Sequence, residues 1–123
     1  MQYMLLIYEN FDGLKRYTED ERKRVLADGL RMHQEWTQAM VKAGQFRASG
    51  GLGMPSTATT VRVKDGKTMT TDGPFAETKE QIGGYYILEC KDLDEALAAA
   101  KKCPSLSWGG TVEVRPVDHG PHA

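Results

Sequence analysis

Residues 72–80 of the chain read Asp72-Gly73-Pro74-Phe75-Ala76-Glu77-Thr78-Lys79-Glu80. Pro74 keeps Gly73 out of the helical region, so the Asp-Gly-Pro corner is stiff and fixes the direction of the Asp72 side chain. One aromatic side chain and a run of charged and hydroxyl side chains follow the corner. The stretch therefore predicts a rigid connection between two strands, followed by a polar loop that is a candidate binding surface.

The stretches on either side of this corner predict strands. Upstream, residues 60–64 and 67–71 flank Asp65-Gly66, which is a strong signal for a two-residue β-hairpin. Downstream, residues 82–90 are rich in Tyr, Ile and Leu and predict the strongest internal strand. Gly83 and Gly84 at its start indicate a bulge or a close approach of another backbone.

Two similar halves enclose this hairpin. In the first half, residues 2–8 predict a buried strand, and a capping box at Thr18-Glu19-Asp20-Glu21 opens a helix that runs to about Ala43. A second strand at residues 45–49 is expected to break at the glycines 50, 51 and 53 and at Pro55. In the second half, Asp92 caps a helix that Pro104 ends, and residues 111–117 form a last alternating strand.

This order predicts an α+β fold of ferredoxin-like type, βαββαβ, with an antiparallel sheet and an inserted β-hairpin. Residues 1–117 form one domain, and residues 118–123 form a short tail that is expected to fray. Both helices should cover one face of the sheet. The other face should carry apolar side chains from the Leu5/Ile7 and Tyr85/Ile87 sets, and stacking of two such sheets in a homodimer would cover them.

Composition excludes several classes of protein. The chain has 123 residues with a net charge of −1 and no block of like charges, so it lacks the clustered basic face of a nucleic-acid or anionic-membrane binder. No apolar run approaches the length of a membrane span, and the N-terminus lacks a signal-peptide pattern, so we expect a cytoplasmic protein. Cys90 and Cys103 are too far apart for a disulfide and are expected to be reduced.

His33 is the first candidate catalytic residue. Placing residues 100° apart puts it on the face of the first helix that meets the sheet, with Trp36 and Val41 at the margins and with Arg22, Leu26, Gly29, Leu30, Thr37 and Met40. An imidazole at this position can act as a general base. It can equally be a packed histidine that makes one hydrogen bond, and the residues alone leave both interpretations open.

Asp72 is the second candidate catalytic residue, as the carboxylate partner of His33 or as a second base, and its structural alternative is the acceptor of an Asx turn. The candidate binding residues around it are Gly73, Pro74, Phe75, Glu77, Thr78, Lys79 and, from a later loop, Trp108. Each has a structural alternative: solvated ion pairs for the charged residues, an anchor beneath the loop for Phe75, and a cover over the core for Trp108.

The sequence offers no other catalytic pattern. His119 and His122 share the tail without a third ligand, the cysteine spacing fits no zinc site, and no metal or cofactor is expected. The glycines at 50, 51 and 53 match no phosphate-binding motif. The serines at 49, 56, 105 and 107 carry no nucleophile-elbow signature.

The chain resembles the YCII-related family, specifically its DGPF-containing branch. The resemblance covers nearly the whole chain and is carried by the stretches at residues 4–8, 57–63, 71–86, 92–96 and 112–117. It implies a ferredoxin-like fold assembled into a dimeric α+β barrel, with a His–Asp pair in a pocket.

The resemblance implies two different functions. One is a cofactor-independent enzyme that performs acid/base chemistry, such as isomerisation or elimination, on a small cyclic or aromatic molecule. The other is a non-catalytic dimer that senses a ligand or docks a partner, in a setting linked to sigma-factor regulation. In both, the protein is a homodimer with a small-molecule ligand.

Overall fold

A computed structural model describes residues 1–120 of the chain; the predicted tail therefore lies partly, and His122 entirely, outside the described residues. The described part contains strands β1 to β6 and helices α1 and α2. Their bounds are β1 Gln2–Glu9, α1 Glu19–Lys42, β2 Phe46–Gly51, β3 Thr59–Lys64, β4 Lys67–Asp72, β5 Gln81–Glu89, α2 Leu93–Ala100 and β6 Thr111–Pro116. Short 3-10 turns occupy Phe11–Arg16, Pro55–Thr57 and Pro104–Trp108.

The main sheet has the order β2-β5-β1-β6, and neighbouring strands are antiparallel. Strands β1 and β2, which α1 connects, lie on either side of β5, so each β-α-β unit is split by a strand of the other unit. Strands β3 and β4 pair only with each other, as a separate hairpin. The predicted α+β class, antiparallel sheet and inserted hairpin are confirmed.

The local signals in the sequence act as expected. The Thr18 hydroxyl accepts from the Glu21 backbone N–H, and the Glu21 carboxylate accepts from the Thr18 backbone N–H, so the capping box closes in both directions. Gly44 has a φ of 74°, the left-handed conformation that stops α1. Asp65 and Gly66 both have positive φ, as a tight hairpin turn requires.

Two predicted boundaries were wrong. Strand β2 does not break at Gly50 but continues to Gly51, because both glycines pair with β5, opposite Tyr85 and Gly84. Helix α2 ends at Ala100 rather than at Pro104, and Pro104 instead begins a 3-10 turn. Proline is compatible with the first position of either kind of helix, so its presence alone did not distinguish an end from a new start.

The core lies between the sheet and the two helices. Strands β1 and β5 contribute alternate side chains, and α1 contributes Trp36 and Met40. The Trp36 indole N–H donates to the Ala99 carbonyl oxygen at 3.1 Å, which ties α1 to α2. Ala96, Ala99 and Ala100 give α2 a small face, so it packs close to the sheet.

The predicted sheet-facing stripe of α1 is correct only in part. Trp36, expected at its margin, is buried, whereas Leu26 and Leu30, expected at its centre, are 53% and 62% exposed. The fully buried residues of α1 all lie in its C-terminal half, where Trp36 and Met40 join the core. His33 is partly buried, at the border between the two halves.

The assignment of side chains to the two sheet faces also needs a correction. Leu5 and Ile7 are buried on the helix side, so they do not contribute to the opposite face. Because side chains alternate along a strand, that face carries Met4 and Leu6 of β1 beside their partners on β5, Ile87 and Tyr85. These four side chains are partly exposed in the single chain.

No helix within residues 1–120 is both long enough and apolar enough to cross a bilayer.

Candidate functional site

A cavity of about 390 Å³ opens on the helix side of the sheet, next to α1. Its walls combine His33 and neighbouring residues of α1 with the ends of three strands. The lining residues are Ile7, Glu9, Leu30, His33, Gln34, Thr37, Ser49, Gly50, Gly51, Gly83, Gly84, Tyr86 and Ser105.

Four glycines on β2 and β5 line this cavity. An added Cβ on Gly84 would approach the Gly50 carbonyl oxygen to 3.1 Å, and one on Gly83 would approach the Phe11 ring to 2.9 Å. The register of β1 against β5 shifts at Gly83, so the bulge and close approach predicted there are confirmed. A Cβ on Gly51, in contrast, would meet no atom within 4 Å, because it would point into open space.

The His33 ring forms a hydrogen bond with Ser105. Nε2 of His33 lies 3.0 Å from the Ser105 hydroxyl, and this hydroxyl donates to Oε1 of Glu9 at 2.7 Å. Ser105 has no exposed surface. The 3-10 turn fixes its position, and the Gly110 backbone N–H donates to the Ser105 carbonyl oxygen at 2.8 Å. An added Cβ on Gly110 would come within 2.8 Å of that oxygen, so only glycine fits there.

Trp108 reaches the same carboxylate. Its indole N–H donates to Oε1 of Glu9 at 3.0 Å, and its ring meets the His33 ring edge-on with centroids 6.0 Å apart. Trp108 itself is 45% exposed and does not line the cavity. The sequence predicted that Trp108 lines the pocket, whereas in the structure its indole supports Glu9.

Thr37 and Tyr86 form the next part of the wall. The Thr37 hydroxyl donates to the His33 carbonyl oxygen at 2.8 Å and lies 2.7 Å from the Tyr86 hydroxyl. Because the single Thr37 proton is used, Tyr86 is the donor of the second bond. Burial raises the pKa of Tyr86, so the phenol is neutral and presents an oxygen that accepts.

His33 is neutral at neutral pH. Burial lowers the pKa of His33 from its ordinary value of 6.5, and the Glu9 carboxylate opposes this shift without overcoming it. A neutral imidazole keeps one nitrogen lone pair, which is the form that a general base requires.

The Ser105–His33 contact does not form a nucleophilic triad. In such a triad the base takes the serine proton and a carboxylate orients the base. Here the Ser105 hydroxyl donates a hydrogen bond to Glu9, so the carboxylate accepts from the serine instead of from the imidazole. Ser105 is also fully buried. The arrangement is suited to acid/base chemistry at His33.

Asp72 does not partner His33 within the chain. It is the last residue of β4, its side chain is exposed, and it does not line the His33 cavity. The polar partner that His33 has instead is Ser105, backed by Glu9. The hairpin that carries Asp72 stands apart from the main sheet, which is why the corner does not point to α1.

The other residues of the corner lie with Asp72, outside the cavity. Gly73 has a φ of 93° and donates its backbone N–H to Ala58, so the stiff turn is present. Phe75 is 76% exposed and is therefore not the anchor beneath the loop that the sequence suggested as the alternative to a binding role. The charged and hydroxyl residues that follow the corner lie at the surface, and three of them border a second, shallow depression: Thr78, Lys79 and Glu80.

Sequence reasoning missed Glu9 and Ser105. Glu9 falls just after the strand predicted at residues 2–8 but is the last residue of β1, and Ser105 is separated from it by most of the chain. The one available signal was a polar residue at the end of a buried strand, since strand ends are where side chains from several elements converge. Within residues 1–120, no group of three His, Cys, Asp or Glu side chains is placed to hold a metal ion.

Comparison with known proteins gives the family. Residues 1–119 match the YCII-related domain. The uncharacterized protein R00369 of Rhizobium meliloti (strain 1021) is 35% identical over 118 residues, which cover 95% of this chain and 92% of the relative.

A solved structure shows the same fold. It is 5-chloro-2-hydroxyhydroquinone dehydrochlorinase (TftG) from Burkholderia phenoliruptrix AC1100, in complex with 2,5-dihydroxybenzoquinone. The TM-score is 0.55 at 16% identity, with 99% of this chain and 98% of that chain covered. The sequence match over nearly its whole length shows that this chain belongs to the YCII-related domain family.

Proposed function

We propose that the protein binds a small hydroxylated ring compound in the His33 cavity and is a cofactor-independent enzyme that performs isomerisation or elimination on it. His33 is the general acid/base. The observation that carries the proposal is a neutral imidazole at an open cavity, fixed from behind by a buried hydrogen-bond chain. A histidine that served packing alone would not need an open space beside it.

The cavity favours a flat molecule with hydroxyl groups. Its volume falls in the range of roughly 300–1,000 Å³ found for ligand pockets, and glycines on β2 and β5 leave a wall without side chains. The Tyr86 oxygen presents a hydrogen-bond acceptor, as the Thr37 bonds require, and the neutral His33 ring presents one on a nitrogen. A ligand that donates hydrogen bonds from a ring fits these acceptors, and a ligand that only accepts does not.

The dehydrochlorinase gives independent support for this ligand class. Its name and its bound 2,5-dihydroxybenzoquinone both describe hydroxylated six-membered rings. The two proteins share a fold at 16% identity, so the ligand of this chain is a proposal that rests on its own cavity.

Calorimetric titration tests the binding proposal. We expect hydroquinone to bind, and 1,4-dimethoxybenzene, which has the same ring without a donor, to bind at least about tenfold more weakly, because a buried acceptor then loses its partner. Binding should weaken as pH falls through the pKa of His33, which lies below 6.5, since the protonated ring no longer accepts. Binding that is equal for the methylated ring, or that strengthens on acidification, would contradict the proposal.

A cavity-filling variant supplies the control. Gly51 shares its sheet face with Tyr86, because Gly51 pairs with Gly84 and Ser49 pairs with Tyr86. Gly51→Leu should therefore fill the cavity and abolish binding. Gly13→Leu, which also meets no atom within 4 Å but lies outside the cavity, should leave binding unchanged.

We also propose that the chain forms a dimeric α+β barrel. The support is the row of partly exposed apolar side chains on the sheet face that no helix covers, Met4, Leu6, Tyr85 and Ile87. Light scattering at micromolar concentration should show two chains per particle, and Ile87→Lys should give monomers because it would bury a charge in the interface. Thr70→Lys, on the exposed hairpin, is the matched control. A monomeric wild type would contradict the barrel.

We further propose that the chain belongs to the DGPF-containing branch of the family, and the support is the sequence of its Asp72–Glu80 stretch. Its exposed Phe75 favours the alternative function, in which a non-catalytic dimer senses a ligand and this loop docks a partner. Turnover separates the two functions: ligand that binds in the His33 cavity and is recovered unchanged would support the sensor.

A further inference from the structure

The hydrogen bonds behind His33 have a defined direction. Oε1 of Glu9 accepts from the Trp108 indole, which can only donate, and the ionised carboxylate has no proton of its own. The bond between Ser105 and Glu9 must then use the serine proton. Ser105 is fully buried, so water does not offer it another partner.

This direction fixes the proton on the imidazole. A serine hydroxyl has one proton, and Ser105 uses it in the hydrogen bond to Glu9. Its oxygen can therefore only accept a hydrogen bond from His33. At 3.0 Å, Nε2 of His33 must therefore carry a proton. A neutral ring has only one N–H, which leaves the lone pair on Nδ1. Among residues 1–120, no group forms a hydrogen bond with that nitrogen.

We propose that Ser105 is a positioning residue, which together with Glu9 holds His33 with its proton on Nε2 and so makes Nδ1 the atom that exchanges protons with the ligand. In this step the O–H bond of a ligand hydroxyl breaks with its electron pair left on the oxygen, an N–H bond forms at Nδ1, and the imidazole becomes an imidazolium. The other proton stays bonded to Nε2 and is donated to the Ser105 oxygen, and the Glu9 carboxylate, which accepts from Ser105, offsets the new charge.

The catalytic role of Nδ1 rests on the proposed function, whereas the position of the proton does not. If no ring compound binds, the proposed function fails and the assignment of the proton still stands on its own measurement. If the proton is found on Nδ1, this proposal fails even when a ligand binds.

The position of the proton can be measured directly in the ligand-free protein. Two-bond ¹H–¹⁵N correlation spectra of the labelled chain at neutral pH distinguish a protonated ring nitrogen from a bare one, and the spectrum of His33→Gln identifies the His33 signals. We expect a protonated Nε2 and a bare Nδ1. A protonated Nδ1 in the wild type would overturn the proposal, and this result does not depend on the folding of any variant.

Glu9→Leu tests whether the carboxylate sets the direction. Leucine offers no acceptor, whereas a glutamine oxygen could still accept from both Ser105 and Trp108, as Oε1 does. The serine proton is then free to donate to Nε2, which moves the ring proton to Nδ1. We expect this shift in the spectrum and a loss of affinity for hydroquinone of at least about tenfold, because a buried donor would face a donor. Glu35→Leu, at an exposed position of α1, should change neither. An unchanged proton position in a folded Glu9→Leu variant would overturn the role of Glu9.

Discussion

His33→Gln is expected to reduce turnover of a bound ring compound by about 10²- to 10⁴-fold, the contribution of a positioned general acid/base. Glutamine keeps a side-chain amide that can donate to Ser105, so the buried hydrogen-bond chain retains a partner. What it lacks is a group that can take up and return a proton. The measurement is single-turnover kinetics with the ligand that binds tightest to the wild type.

His119→Gln is the control for this prediction. His119 is exposed near the C-terminal end of the described chain, far in sequence from the cavity, and the substitution is chemically the same. We expect it to keep the wild-type rate. If His33→Gln also keeps that rate while it still binds the ligand, His33 is not the acid/base and the protein fits the sensor function.

Leu88→Ala should have the largest effect on stability, with a loss of about 2–5 kcal/mol in the free energy of unfolding. Leu88 is fully buried on β5, the strand that joins β2 to β1, and truncation leaves a cavity in the middle of the sheet. The surrounding strands cannot collapse around it without breaking their pairing. Urea unfolding followed by circular dichroism measures the change.

The matched control for Leu88 is Leu26→Ala on α1. Leu26 is 53% exposed, and alanine is the better helix former, so the loss should stay below about 1 kcal/mol. Equal losses for the two variants would mean that the core is not centred on β1 and β5 as described.

The fold followed from local patterns because each one has a local physical cause. The Thr18–Glu21 box, the Gly44 stop and the Asp65-Gly66 turn each satisfy backbone groups within a few residues, so the sequence alone identifies them. With the helix start, the helix stop and the hairpin turn identified, the order of the predicted strands and helices gave two β-α-β units and a hairpin. The glycines of β2 were misread because glycine permits a break but does not require one.

The site was less predictable because its contacts join distant parts of the chain. His33 could be selected from its place on α1, but its partners Ser105 and Glu9 come from a 3-10 turn and a strand end that only the folded chain brings together. Asp72 was favoured because its corner is stiff. Stiffness fixes a direction without saying what lies in that direction, and the corner belongs to a hairpin outside the main sheet.

The exposed half of α1 was likewise predicted only in part from the sequence. Periodicity identified the face that carries Leu26 and Leu30 but not how far the sheet extends beneath it. A 24-residue helix is longer than the part of the sheet available to it, so its apolar stripe continues past the core.

A crystal structure of the protein soaked with hydroquinone tests the central claim most directly, that a ligand meets His33 in the cavity beside α1. We predict the ring in that cavity, with one hydroxyl at a hydrogen-bond distance of about 2.6–3.2 Å from the His33 imidazole. A ring bound only at the Asp72–Glu80 loop, with the His33 cavity empty, would contradict the account.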